Sequence, residues 1–229
     1  MFKKIMEKLQ NLAVAGKGFD PSGLNDPIAM QTQWTPVKSG GANFRTHKLV
    51  SIDPNRLEFK STIGAKMFYL IFMLMGTGAM VVFSLSEISA GESLLNIEMI
   101  IPFLIGMIFV VVGAGMFYFG TAPIVFDKYK ASFWKGRKAP DEVSDRKEIK
   151  YFAELGNIHA LQVISEYCRG DKSSYYSYEL NLVLEDGNRI NVVDHGNLAK
   201  LRENAQALSS FLGKPVWDAT IRVDNNFTS

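Results

Sequence analysis

The sequence predicts an α+β membrane protein, a two-helix transmembrane hairpin followed by a β-rich domain that closes with one helix. Three observations carry this. Residues 67–85 and 99–120 contain no Asp, Glu, Lys, Arg or His. From residue 121 onward, apolar residues alternate with polar ones instead of running together. Helical spacing then returns, with Leu198, Leu201, Ala205, Leu208 and Leu212 on one stripe.

Composition alone conceals the membrane segment. Charged residues make up 21% of the 229 residues and the mean hydropathy is +0.04. These are values of a soluble chain, reached because the apolar residues are concentrated between Met67 and Gly120. The length leaves room for about one ordinary domain beside the hairpin. A net charge of +2 is too small to point to nucleic acid. Cys168 is the single cysteine, so an intramolecular disulfide is excluded. The first apolar span begins only at Met67 and no small-residue cleavage pattern follows it, which argues against a secretory signal.

Each span is close to the length of about 20 residues that crosses a hydrocarbon core. The connecting loop, residues 86–98, holds Glu87, Glu92 and Glu98 but no Lys or Arg. Ten Lys and Arg residues precede the first span, and Lys128, Lys130, Lys135, Arg137 and Lys138 follow the second. By the positive-inside rule both termini are cytoplasmic and the loop is external, as in a multi-pass protein of a bacterial inner membrane. Gly106, Gly113 and Gly120 recur every seven residues, and Gly76 lies mid-span in the first helix. In lipid, small residues let helix backbones approach. These glycines either pack the hairpin on itself or dock another helix, a second copy of the chain included. Pro123 stops the second helix.

In the domain spanning 121–218, Ile124–Phe126 and Ser132–Trp134 read as strands around an Asp-Lys-Tyr-Lys turn, and 137–150 as a charged connection. A strand at Ala160–Tyr167 leads to a polar turn at Arg169–Ser174. Tyr178, Leu180, Leu182 and Leu184 then alternate, Asp186-Gly187 turns the chain, and Ile190 and Val192 resume the pattern. Asn197 is placed to cap the last helix and Gly213 with Pro215 to end it. Residues 219–229 form a tail.

Several strands and then a terminal amphipathic helix, from about Ile124 to Trp217, resemble the pleckstrin-homology-like domains of bacterial proteins that follow paired membrane spans. The chain is also similar to the two-span photosystem I assembly factors of chloroplasts. Those have an FDR strand, here Phe126 to Lys128 as FDK, and a last helix running into FLRVP, here Phe211 to Val216 as FLGKPV. The resemblance implies a pleckstrin-homology-like half-open barrel and a non-enzymatic scaffolding or assembly role.

Upstream, Phe2, Ile5, Met6, Leu9 and Leu12 with Lys3, Lys4 and Lys8 describe a basic amphipathic helix over 1–15, suited either to an anionic leaflet or to docking on the protein itself. Gly, Pro, Ser, Asn and Gln over 16–42 read as an extended linker. Residues 43–61, split by Asp53-Pro54-Asn55, read as a β-hairpin on the same side of the membrane as the C-terminal domain and placed to extend its sheet.

No Walker loop, GxGxxG, HExxH or paired-cysteine spacing is present, and His47, His159 and His195 are far apart in sequence. No catalytic, cofactor-binding or metal-binding residue is therefore assigned, and the expectation is a non-enzyme without a cofactor. Cys168 with Asp194 and His195 has the residue types of a thiol nucleophile, base and orienting carboxylate; the plainer reading is a strand-end cysteine and a turn histidine. Tyr167, Tyr175, Tyr176 and Tyr178 fit strand propensity before ligand stacking. Three expectations follow. The first is a membrane-anchored interaction or assembly protein with a protein partner, the lipid bilayer as its surroundings and no nucleic acid. The second is recognition of anionic lipid through Lys128, Lys130, Lys135, Arg137 and Lys138. The third, more remote, is a thiol-dependent enzyme.

Overall fold

The computed structural model describes residues 19–90, 97–169 and 174–220. The expected helix over 1–15, residues 91–96 of the loop 86–98, residues 170–173 of the turn at Arg169–Ser174 and residues 221–229 of the tail lie outside the described residues. The chain divides into two compact units, Met1–Phe59 with Ile124–Ser229, and Lys60–Pro123.

The second unit is the helical hairpin. Helices α2 (Ile63–Ala90) and α3 (Ile97–Gly120) both run past the apolar windows read from sequence. At 28 and 24 residues they are about 42 and 36 Å long, because the backbone ladder continues into the polar flanks. They are antiparallel: Gly120 lies against Tyr69, Gly113 against Met73 and Gly106 against Gly76 and Met80. A Cβ on Gly113 would stand 2.9 Å from the Met73 amide nitrogen, and one on Gly106 would stand 2.9 Å from the Gly76 carbonyl oxygen. All four glycines named from sequence thus pack the hairpin on itself. Large apolar side chains face away from this seam, Leu74, Val82, Ile101 and Val111 each being more than 60% exposed.

In the first unit, a five-stranded sheet has the order β1 (His47–Asp53), β2 (Arg56–Ser61), β3 (Ile124–Asp127), β4 (Ser132–Lys135) and β5 (Phe152–Glu154). The expected upstream hairpin therefore joins the C-terminal strands, with Leu57 opposite Phe126 and Phe59 opposite Ile124. Consequently the helical hairpin is an insertion between two paired strands. A second sheet has the order β8 (Arg189–His195), β7 (Ser174–Leu184), β6 (Ile158–Arg169) and β9 (Val216–Asp218), with β9 parallel to β6 and the other pairs antiparallel. The sheets are open and no closed barrel forms among the described residues. Strands β5 and β9 had no counterpart in the sequence reading.

Phe59, Phe126 and Phe133 of the first sheet, Leu161, Val163, Leu180 and Leu182 of the second, and Leu201, Ala205 and Leu208 of α4 (Leu198–Leu212) form one apolar core. The α4 stripe meets that core as its spacing foretold. Asn197 caps α4 by accepting the Lys200 amide at 3.0 Å, and Gly213 ends it in the left-handed region, φ 68°, with its N–H on the Ser209 carbonyl.

The composition of 16–42 suggested a linker, but its described part, from residue 19, is folded. Asp20 and Asp26 cap a 3-10 turn (Pro21–Leu24) and a short helix α1 (Pro27–Gln31), each with proline in its first turn. Ala29 is fully buried with Ala160, Val183 and Trp217. The same Pro, Asn and Asp content that mimics a linker supplies these caps.

Gly76→Val and Gly106→Val should each destabilise the hairpin by about 1–3 kcal/mol through overpacking, measured as unfolding in detergent. Gly115→Val, where an added Cβ meets nothing within 4 Å, should change it by no more than about 0.5 kcal/mol.

Candidate functional site

Successive strand residues face opposite ways, so the strands that send Leu161, Val163, Leu180 and Leu182 into the core send a polar set to the other face. Gln162 stands opposite Asn181, Glu166 opposite Ser177, and Glu179 opposite Asp194. A β-bulge between Leu180 and Asn181 shifts the register with β8, where Asn191 pairs with Asn181 and donates from Nδ2 to Asp194 at 2.8 Å. Gln162, Ser177, Glu179 and Asn181 are fully buried.

Their cover is a strap over residues 19–42. One end is anchored by rings: Trp34 lies 4.3 Å from Phe19 and 5.8 Å from Trp217 between centroids, and its Nε1 donates to the Ala29 carbonyl at 3.0 Å. His159 bridges the same end, with Nε2 2.7 Å from Asp26 and Nδ1 3.1 Å from Glu185. From Gln33 onward the sheet grips main chain. Gln162 Nε2 donates to the Gln33 carbonyl at 2.9 Å and Arg189 to the Thr35 carbonyl at 2.7 Å. The Glu179 carboxylate accepts the amides of Val37 and Lys38 at 2.8 and 2.9 Å, and Glu166 accepts those of Gly40 and Gly41 at 3.0–3.2 Å. Tyr175 and Ser177 hydroxyls donate to the carbonyls of Gly41 and Ala42. Only glycine fits at 41, since a Cβ there would collide with the Ser177 side chain. The residues from Val37 to Gly40 are exposed.

Burial dominates the electrostatics. It pushes the carboxyls of Glu179 and Asp194 up, against the amide hydrogen bonds that favour ionised Glu179 and the Asn191 bond that favours ionised Asp194. The Lys135 amine, 3.3 Å from Asn191 Oδ1, is lowered by burial to about 8. Burial and the Lys135 charge bring His47 down to about 4.

The five basic residues singled out in the sequence have different immediate surroundings. Lys128 lies 4.4 Å above the Phe211 ring, Lys130 pairs with Asp141, and Lys135 is turned toward Asn191; Arg137 and Lys138 are exposed. Cys168 and His195 are kept apart. They flank β7 on opposite sides, Cys168 opposite Tyr175 and His195 opposite Tyr178, so two strand spacings of about 4.8 Å and three residues of about 3.3 Å rise separate them. Burial and Glu166 raise the Cys168 thiol, the reverse of an activated nucleophile. His195 is fully buried and accepts the Asn197 amide on Nδ1. Tyr167 and Tyr176 meet as tilted rings, 5.1 Å between centroids, across β6 and β7. No cluster of three or more metal-ligating side chains occurs among the described residues.

The strap and its clamp were missed in the sequence. Two signals were there: the Asp-Pro pairs at 20–21 and 26–27, and the alternation of Ser177, Glu179 and Asn181 on β7. Compared with family models, curated proteins and solved structures, the chain matches none.

Glu179→Gln leaves one oxygen to accept two amides and sets an NH2 against the strap, so it should cost about 1–3 kcal/mol in thermal or denaturant unfolding. Burial alone would lower the His159 pKa, but the hydrogen bonds its ring donates to the Asp26 and Glu185 carboxylates outweigh it and raise the pKa above 6.5. Its contribution is therefore full below about pH 6.5 and lost as pH rises through the folded value. Hydrogen exchange at α1 should accelerate over that alkaline step, corrected for intrinsic rates, and His159→Gln should remove the step.

Proposed function

We propose that this chain is a non-catalytic, membrane-anchored interaction protein. Its helical hairpin crosses a bacterial inner membrane with both termini cytoplasmic, and its β unit, pleckstrin-homology-like in placing a helix after its strands, is presented to a protein partner within a membrane complex. One observation carries this reading. Both ends of an apolar hairpin, with glycines inside and large apolar side chains outside, return to neighbouring strands of one β unit. Such a surface suits lipid, where small residues make the helix seam. Helix ends tied to paired strands favour a common side of the membrane, and the Lys and Arg distribution makes that side cytoplasmic.

The anionic-lipid reading rests on Lys128, Lys130, Lys135, Arg137 and Lys138, of which Lys128, Arg137 and Lys138 are exposed. Each cation near an anionic leaflet contributes about 1 kcal/mol. The thiol-enzyme reading has no supporting geometry, since Cys168 and His195 lie on opposite sides of β7.

With Cys168 replaced by Ser, Ser89→Cys at the end of α2 should label with an impermeant thiol reagent in intact cells. Ser210→Cys, exposed on α4, should label only after lysis. Labelling of Ser210→Cys in intact cells would place the β unit outside and contradict the proposal. Purification in mild detergent should recover a stoichiometric partner; repeated recovery of the chain alone counts against the interaction role.

A further inference from the structure

Buried polar groups on a sheet face cost free energy unless each is paired, and an apolar face would make a cheaper floor for a purely structural strap. Here Gln162, Ser177, Glu179 and Asn181 are fully buried, and the first three hold the strap through its backbone, while Val37, Lys38 and Ser39 remain exposed. The face is also not fully used. Asn181 donates from Nδ2 to Glu179 at 3.1 Å and lies 3.4 Å from Gln162 Oε1, which fixes its orientation, because a flipped amide would set its oxygen against the Glu179 carboxylate. That leaves Asn181 Oδ1, on a fully buried residue, with no hydrogen-bond partner among the described residues. The same burial that raises Glu179 also means that the strap's two amides only partly compensate its charge.

We infer that the polar face of β6, β7 and β8 is a peptide-docking surface that the strap occupies in cis, and that a partner's extended, cationic, glycine-containing segment displaces it. The face dictates that chemistry. Glu179 and Glu166 each take two successive backbone amides, so the ligand is extended and its main chain is its handle. The three carboxyls of Glu166, Glu179 and Asp194 outnumber the two cations among them, Arg189 and Lys135, a balance that favours a Lys- or Arg-bearing segment and disfavours an acidic one. Ser177 fills the space of a Cβ at the Gly41 position, so glycine is selected there. Asn181 Oδ1 is an acceptor open to one additional donor. Trp34 and the Asp26–His159 pair hold the strap from its far end, outside the face itself.

The inference rests on the reading of the chain as an interaction protein. Its test uses the full chain in detergent, so its outcome is separable from the membrane labelling above. The probe is a fluorescent peptide, Lys-Val-Lys-Ser-Gly-Gly-Ala-Lys. It should bind the wild-type chain saturably and accelerate hydrogen exchange at residues 37–41. Trp34→Ala, which loosens the strap, should tighten binding by about tenfold, because less competing occupancy must be displaced. Asp26→Ala serves the same purpose if Trp34→Ala fails to fold. In the Trp34→Ala background, where the loosened strap competes little, Glu179→Gln with β6 and β7 amide protection retained should weaken binding by about tenfold or more. A peptide with Glu in place of each Lys should not bind. Absence of saturable binding to both the wild type and a folded loosened variant overturns the proposal, as does binding indifferent to Glu179. A Trp34→Ala chain that dimerises and excludes the probe assigns the face to a second copy and overturns the partner's segment as occupant.

Discussion

The antiparallel pairing of β2 with β3 is the constraint on which the architecture turns. Phe59 and Ile124 are direct partners, although residues 60–123 separate them in the chain. Closing so long a loop costs conformational entropy, but only logarithmically in its length, and within the loop the two helices pack on each other. Phe59 and Phe126 deliver the return as part of the common core with Phe133, Leu161 and α4. Because β2 belongs to that core, the upstream hairpin is an integral part of the β unit, and the chain N-terminal to β1 is carried to the second sheet, where Arg45 bridges His195.

That delivery explains the strap. A chain leading into β1 beside the end of β8 passes close enough that a Cβ on Gly196 would collide with the Asn43 carbonyl. Upstream of this point it crosses β7 and β6, where main-chain amides meet carboxylates. Hydrogen bonds from amides to a charged acceptor are among the stronger ones, and the acceptors in turn are costly to bury. The result is a segment positioned by directional contacts and anchored by the Trp34, Phe19 and Trp217 rings at its far end.

What the sequence disclosed divides along physical lines. The two helices were legible because each is an unbroken apolar run of a length that could cross a hydrocarbon core. The β7–β8 hairpin was legible from the alternation of Tyr178, Leu180, Leu182 and Leu184 and from Gly187, which sits at φ 77° in the turn. Strand β9, three residues from Val216 to Asp218 running parallel to β6, is too short for any period to register. The strap left almost no side-chain signature, because the sheet grips its backbone across more than a hundred residues of sequence. Lys128, Lys130 and Lys135 illustrate the converse: adjacent in sequence and alike in charge, they are given different work by a ring, an aspartate and an asparagine.

If the β unit is a self-contained fold into which an apolar hairpin has been inserted, the insertion can be removed at its paired neck. Replacing residues 61–122 with Asn-Gly leaves Lys60 opposite Pro123, one step beyond the Phe59 and Ile124 pair, joined by a two-residue turn of the kind that antiparallel strands favour. Hydrogen exchange on this shortened chain in buffer without detergent is the most direct measurement. The architecture predicts a soluble protein with protected amides in β2, β3, β6 and β7 and at Val37 and Lys38. A chain that stays in solution only with detergent, or that leaves β2 and β3 unprotected, would contradict it.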